Sequence, residues 1–205
     1  MGRLNNANPH HPKKGTRTTV DPIRNEQHIK QIKRRLKKES PRDYLLFIMG
    51  INNGLRIGDL LQIKVADVKY LKAGETVSII EQKTGKSNIV MVNKTVHEAL
   101  GMYFNSVDLA DDDYLFKSRN KDVNGASKPI TRETVAKMVK EWTKDIKGNY
   151  SSHSLRKTWG YSMRRRFGIS FEIICKRFNH SSPRITMAYL GIKDSEINNV
   201  LLNEV

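Results

Sequence analysis

Cysteine is nearly absent from this 205-residue chain: Cys175 stands alone, so no disulfide can form within it and a reducing compartment suits it best. Long apolar runs are missing too. No stretch approaches the roughly 18 residues of a membrane span, and the N-terminus carries no signal-peptide hydrophobic region. Acids are scarce, 21 against 37 lysines and arginines, and they do not converge as a metal-dependent nuclease requires. Asp111, Asp112 and Asp113 are consecutive; neighbours in a strand point to opposite faces and in a helix they fan out, so the run reads as a solvated loop. His10 and His11 lack partner ligands, so no zinc site is expected. No internal repeat is visible. The expectation is a cytoplasmic, nucleoid-associated protein that uses neither metal nor cofactor.

What the chain has in abundance is positive charge. The formal net charge is +16, and residues 1–40 hold half of it, with eleven basic residues and three acids. A lysine or arginine placed on a phosphate releases a condensed counterion, so such a surplus points to a nucleic-acid partner. Residues 1–23 show almost no apolar periodicity and read as a flexible basic arm. Residues 24–205 are long enough for one domain with its own core.

Within that domain the apolar spacing predicts mostly helices. Ile29, Ile32 and Leu36 form one stripe of a helix over 25–38. The run from Asp43 to Ile51 is apolar nearly all round, with Pro41 in its first turn and Gly54 as its stop. Thr76–Ile80 and Ser87–Val92 are β-branched runs around a hairpin tip containing Gly85. Asn93 caps a helix to Phe104. Val135, Met138, Val139, Trp142 and Ile146 mark another helix, and Leu155, Trp159, Met163 and Phe167 recur every four residues in the next. Three short helices follow, at 171–178, after Ser182-Pro183, and at 195–204. The fold class is mainly α with a small antiparallel β-sheet (α+β).

Six polar residues stand near element ends: Arg56, Lys83, His153, Arg156, His180 and Tyr189. His153 and Arg156 lie three apart at a helix start, where side chains and free amides can share one phosphate. A solvated helix end explains that pair equally well, and a lone tyrosine between Ala188 and Leu190 is more often core. The order and spacing of the whole set carry the case. Cations, imidazoles and one phenol around one point suit a nucleophile attacking a phosphodiester without a metal.

The segments Gly54-Leu-Arg-Ile-Gly-Asp-Leu-Leu, Lys83-Thr-Gly-Lys, His153-Ser-Leu-Arg-Lys-Thr and Asn179-His-Ser-Ser through Tyr189 resemble the catalytic domain of the tyrosine recombinase (phage integrase) family. The resemblance covers roughly residues 25–200. Asn179 stands where the family often has Gly, Lys157 where a second His is common, and Asp59 where Glu is usual. It implies a site-specific DNA recombinase, of integrase or invertase type, that works through a 3′-phosphotyrosine. Tyr189 would be the nucleophile, His153 the base, Arg56 and Arg156 the phosphate clamps, His180 a further donor and Lys83 the general acid, with Lys86 competing. Double-stranded DNA is the implied partner, with Lys86, Lys157, Arg164, Arg165, Lys176 and Arg177 as further contacts. The family's N-terminal clamp domain is not expected in this chain, which leaves room for an accessory DNA-bending protein. Segment 195–205 would link four protomers. A DNA-binding regulator that no longer cuts, and a type IB-like topoisomerase, are the alternatives.

Overall fold

The computed structural model describes residues 19–192; the expected helix at 195–204 and most of the arm lie outside them. Nine helices and two strands are ordered, among these residues, as α1 (Glu26–Glu39), α2 (Pro41–Asn53), α3 (Ile57–Leu60), α4 (Val65–Val68), β1 (Thr76–Ile80), β2 (Ser87–Met91), α5 (Lys94–Phe104), α6 (Arg132–Trp142), α7 (Ser152–Phe167), α8 (Phe171–Phe178) and α9 (Pro183–Leu190).

Local chemistry sets most boundaries. Asn25 caps α1 by accepting from the Gln27 amide, and Ser40 caps α2 through the Asp43 amide with Pro41 at the first position. Ser182 and Pro183 open α9 in the same way. Leu45 through Met49 are fully buried, as the unbroken apolar run of α2 requires, and α1, α5 and α7 pack around that helix. The strands pair antiparallel in the register Thr76↔Met91 to Ile80↔Ser87. Asn53, at the end of α2, fastens this hairpin to the core. Its side chain donates to the Met91 carbonyl at 3.2 Å and accepts the Met91 amide at 2.7 Å.

A second, smaller apolar cluster joins α8 and α9 to α7: Ile174, Phe178 and Leu190 are buried, with Trp159 and Tyr189 against them. Gly160 permits this approach, since a Cβ there would sit 2.7 Å from the Phe178 ring. Cys175 is buried as expected, its thiol donating to the His180 carbonyl.

Four details differ from the sequence expectation. Residues 21–23 do not belong to a loose arm: Ile23 is fully buried, its amide donates to Thr158 Oγ1, and the Asp21 amide donates to the Asn149 carbonyl. Helix α6 stops at Trp142, so Ile146 packs on the core from the turn beyond it. Phe167, assigned to an apolar face, is 59% exposed at the end of α7. The Asp111–Asp113 loop is not merely solvated: Asp111 pairs with Lys69 and Asp113 with Lys117, each at 2.8 Å.

Candidate active site

Arg156 is the most constrained of the six residues. It lies in the first turns of α7, only 2% exposed, and its guanidinium spans the C-terminal ends of two other helices. Nη1 donates to the Gly54 carbonyl at 2.8 Å and Nη2 to the Phe178 carbonyl at 2.7 Å, while the Phe178 ring faces the guanidinium carbon at 4.3 Å. Unpaired carbonyls at helix ends carry partial negative charge, so they compensate a buried cation well. The Gly54 contact depends on its left-handed turn (φ +60) beneath the Trp159 ring, where a side chain would collide. Burial lowers the Arg156 pKa to about 10, so the group stays charged at neutral pH and keeps three further N–H donors.

Arg56 caps α3 from the turn after Gly54 and meets a partner that sequence reasoning missed. Glu81, fully buried at the end of β1, accepts from Arg56 Nη1 at 2.6 Å. Thr84 donates to the same carboxylate oxygen at 2.6 Å, and Asn88 to the other at 2.9 Å. Burial works to raise the pKa of this acid, but the bonds from Thr84, Asn88, Arg56 and Asn179 outweigh it and hold the group at about 2. The alternation of β1 puts Glu81 on the inward face with Val77 and Ile79, but a charged residue beyond a strand reads as solvated.

His180 follows Asn179, whose left-handed conformation (φ 51) ends α8. That geometry explains the departure from the usual glycine, because Asn tolerates this region better than other side chains. His180 Nδ1 lies 3.0 Å from Thr186 Oγ1, and its ring meets the edges of Phe178 and Tyr189. Enclosure first, then the Arg156 and Arg56 charges, push its pKa down to about 4. His153 is shifted down as well, by enclosure and then by Arg156, Arg56, Lys157 and Lys83, although the residue remains accessible at the cleft mouth. Both imidazoles are therefore neutral at pH 7.

Tyr189 sits on α9 with its ring edge-on to Phe178 and His180. Its hydroxyl oxygen is buried and makes no hydrogen bond of acceptable geometry, although the Arg156 guanidinium is close enough to favour the phenolate. Burial wins, and the phenol pKa lies above its ordinary value.

A cleft of about 520 Å³ opens beside these groups, walled by Arg56, Ile57, Gly58, Asp59, Gln82, Lys83, Arg132 and His153. Lys83 stands on its wall and Lys86 does not. Asp59 accepts the Gln82 amide at 2.9 Å and so ties α3 to the hairpin. Arg132, the first residue of α6, was also missed by sequence reasoning. Its guanidinium lies over Gly58 and donates to Gln82 Oε1 at 2.9 Å, adding a cation to the wall. The only signal was a glycine inside a short helix, where a neighbour needs close approach.

Two expected DNA contacts are redirected inward. Lys157 is 6% exposed, its ammonium 4.8 Å from the centre of the Tyr189 ring. Arg177 donates to the carbonyls of Asn53 and Ile89 and to Asn88 Oδ1, which locks α8 onto the hairpin. Both cations are consumed internally, Lys157 between α7 and α9 and Arg177 between α8, the hairpin and the end of α2. Arg164 stacks on Phe171, while Arg165, Lys176 and Lys86 are exposed.

The shifts give a signed prediction for the protein free of DNA. Unfolded histidine takes up protons near pH 6.5, whereas His180 does so only near 4, so the unfolded state binds more protons between these values. Stability falls as pH drops from about 6.5 to 4, by on the order of 1–2 kcal/mol after solvent screening. Glu81 adds a second acid-side loss: its contribution is complete above about 4.5 and disappears as pH falls through about 2. Melting temperature against pH, with His180→Gln as the comparison, checks this; the variant should flatten the upper part of the slope.

The site is thus a cleft with Arg56, Lys83, Arg132 and His153 on its wall and Arg156, His180 and the Tyr189 phenol beside Arg56, on a domain that is helical apart from one hairpin among the described residues: the arrangement of an enzyme that attacks phosphodiesters. Comparison with known proteins agrees. Residues 23–196 match the phage integrase family, and the chain belongs to it. A probable integrase/recombinase of Bacillus subtilis (strain 168), YoeC, is 34% identical over 176 residues, covering 85% of this chain and 91% of that protein. A tyrosine recombinase of Pseudothermotoga lettingae is 29% identical over 160 residues, and the chain spans 52% of its length. Among solved structures, XerA recombinase superposes with a TM-score of 0.69 at 22% identity, covering 93% of this chain and 68% of that one. XerH bound to its palindromic difH substrate, after cleavage, gives 0.68 at 17% identity, covering 91% and 53%. Both show the shared fold.

Proposed function

We propose that this site-specific recombinase cleaves and rejoins DNA with Tyr189 as nucleophile. The observation that carries the reading is the convergence of the Arg56 and Arg156 charges on the Tyr189 phenol, with His180 against its ring and Lys83 and His153 on the wall of the adjoining cleft. In this reading the Tyr189 oxygen attacks the scissile phosphorus, His153 accepts the phenolic proton, and the bond to the 5′-oxygen breaks. Lys83 gives that oxygen a proton. The products are a 3′-phosphotyrosine and a free 5′-hydroxyl, and because the phosphodiester energy is kept in the new bond, another 5′-hydroxyl can reverse the step.

Energetics support this division of labour. Ionising an ordinary tyrosine at pH 7 costs roughly 4 kcal/mol, and burial here adds to that. A neutral histidine able to take the proton, and guanidiniums that strengthen their bonds as charge builds on the phosphate, offset the cost. His180 Nδ1 meets Thr186 Oγ1 at 3.0 Å; in the tautomer whose Nδ1 accepts there, Nε2 carries the proton and can donate to the phosphate. The net charge of +16 supports a long electrostatic footprint on the duplex. DNA-bound relatives of the same fold include XerH and lambda integrase. Assembly of four protomers through segment 195–205, and help from a DNA-bending protein, belong to the same proposal and rest on the family resemblance alone.

A nicked suicide substrate bearing the DNA that flanks the protein's own gene tests it. With EDTA present, an SDS-resistant protein–DNA adduct is expected on that substrate and not on unrelated duplexes. An adduct on any duplex would indicate a topoisomerase instead, and none at all a regulator that only binds.

A further inference from the structure

Among the described residues two acids, Asp59 and Glu81, are buried at a cleft walled by cations, and Glu81 is the one with no exposed surface. Placing a carboxylate there costs desolvation and repels the substrate, so the fold must use it for something. Its two oxygens gather groups from separate elements. Arg56 comes from the turn before α3, Thr84 from the hairpin tip next to Lys83, and Asn88 from β2. Asn179, the residue before His180, lies near enough to favour its charged form. Asn88 in turn accepts from Arg177, which is bonded to the end of α2. Arg56 gives this network only Nη1, leaving its other donors for a phosphate.

Resting on the reading above, we propose that Glu81 is a positioning residue for strand cleavage: its carboxylate fixes the Arg56 guanidinium and, through Thr84, the hairpin that carries Lys83. The group itself does not transfer protons, since it stays ionised throughout the neutral range and is shielded from the cleft by its own partners. A guanidinium held by one buried ion pair presents its remaining N–H groups in a fixed direction, which is the condition for transition-state stabilisation without reorganisation.

A double-mutant cycle separates this role from plain structural support. Single-turnover adduct formation on the suicide substrate is compared for wild type, Glu81→Gln, Arg56→Ala and the double variant. Glu81→Gln keeps the shape and can still accept hydrogen bonds, but loses the ion pair. It should slow adduct formation by about 10- to 100-fold while duplex affinity changes less than about threefold. In the Arg56→Ala background the same change should cost clearly less, because only the bond to the hairpin through Thr84 is left to weaken. Full additivity, or a wild-type rate for Glu81→Gln, would overturn the inference. Absence of any adduct from wild type would overturn the cleavage reading and this inference with it. If Glu81→Gln does not fold, Thr84→Val removes one bond to the same oxygen from an exposed position; a loss of about 3- to 10-fold is then expected, and none would count against the role.

Discussion

Tyr189→Phe should leave a protein that binds its DNA and never becomes joined to it. The change removes one oxygen that makes no well-formed hydrogen bond, and keeps the ring that packs on Phe178 and His180. Losing such an atom costs the fold little, because no partner is left unsatisfied. Binding should persist with the same steep dependence on salt, since phosphate contacts by exposed lysines and arginines are untouched. Adduct formation should fall below detection, which over a typical assay range means at least about 10⁴-fold. Gel-shift titrations at two salt concentrations, beside SDS gels of the suicide-substrate reaction, read both quantities. An adduct that persists in this variant would transfer the nucleophile to another residue, with Tyr161 and Tyr150 the next to test.

Arg156→Lys should have the second largest effect. Two N–H donors of this one planar group join the ends of α2 and α8, and in the proposed mechanism the remaining ones serve the phosphate. A lysine ammonium is a point charge on a flexible stem and cannot span both carbonyls while facing a third acceptor. Loss of one preorganised donor costs on the order of 10²–10³ in rate, and the lysine variant forfeits that geometry entirely, so a drop of at least that size is expected. Stability should fall too, by about 1–3 kcal/mol, if either the Gly54 or the Phe178 carbonyl is left buried and unpaired. Adduct rates and thermal melts on the same preparations distinguish the two losses. A near-wild-type rate would mean that the phosphate is held elsewhere.

Much of this architecture could be read before any coordinates. Caps such as Asn25, Ser40-Pro41, Asn93 and Ser182-Pro183 are local devices, satisfied within three or four residues, and all four open helices. The four-residue helix α4 escaped notice because it has no periodicity of its own. It is held in place by the carbonyls of Asp111 and Asp113, more than 40 residues away. Glu81 and Arg132 escaped for a related reason: a charged residue after a strand, and another at a helix start, look solvated unless their distant partners are known.

Residue types and their order along the chain determined by themselves which chemistry this protein carries, because an arginine, a lysine, two imidazoles and a phenol bring their pKa ranges and donor geometry with them. Tertiary structure alone decided which cations are left to act. Arg177 and Lys157 look as available in sequence as Lys83, yet one is spent on the carbonyl of Asn53, 124 residues away, and the other lies over the Tyr189 ring. Lys83 stays at the cleft wall. Burial and long-range hydrogen bonding draw that distinction, and both arise only when segments far apart in the chain close on one another.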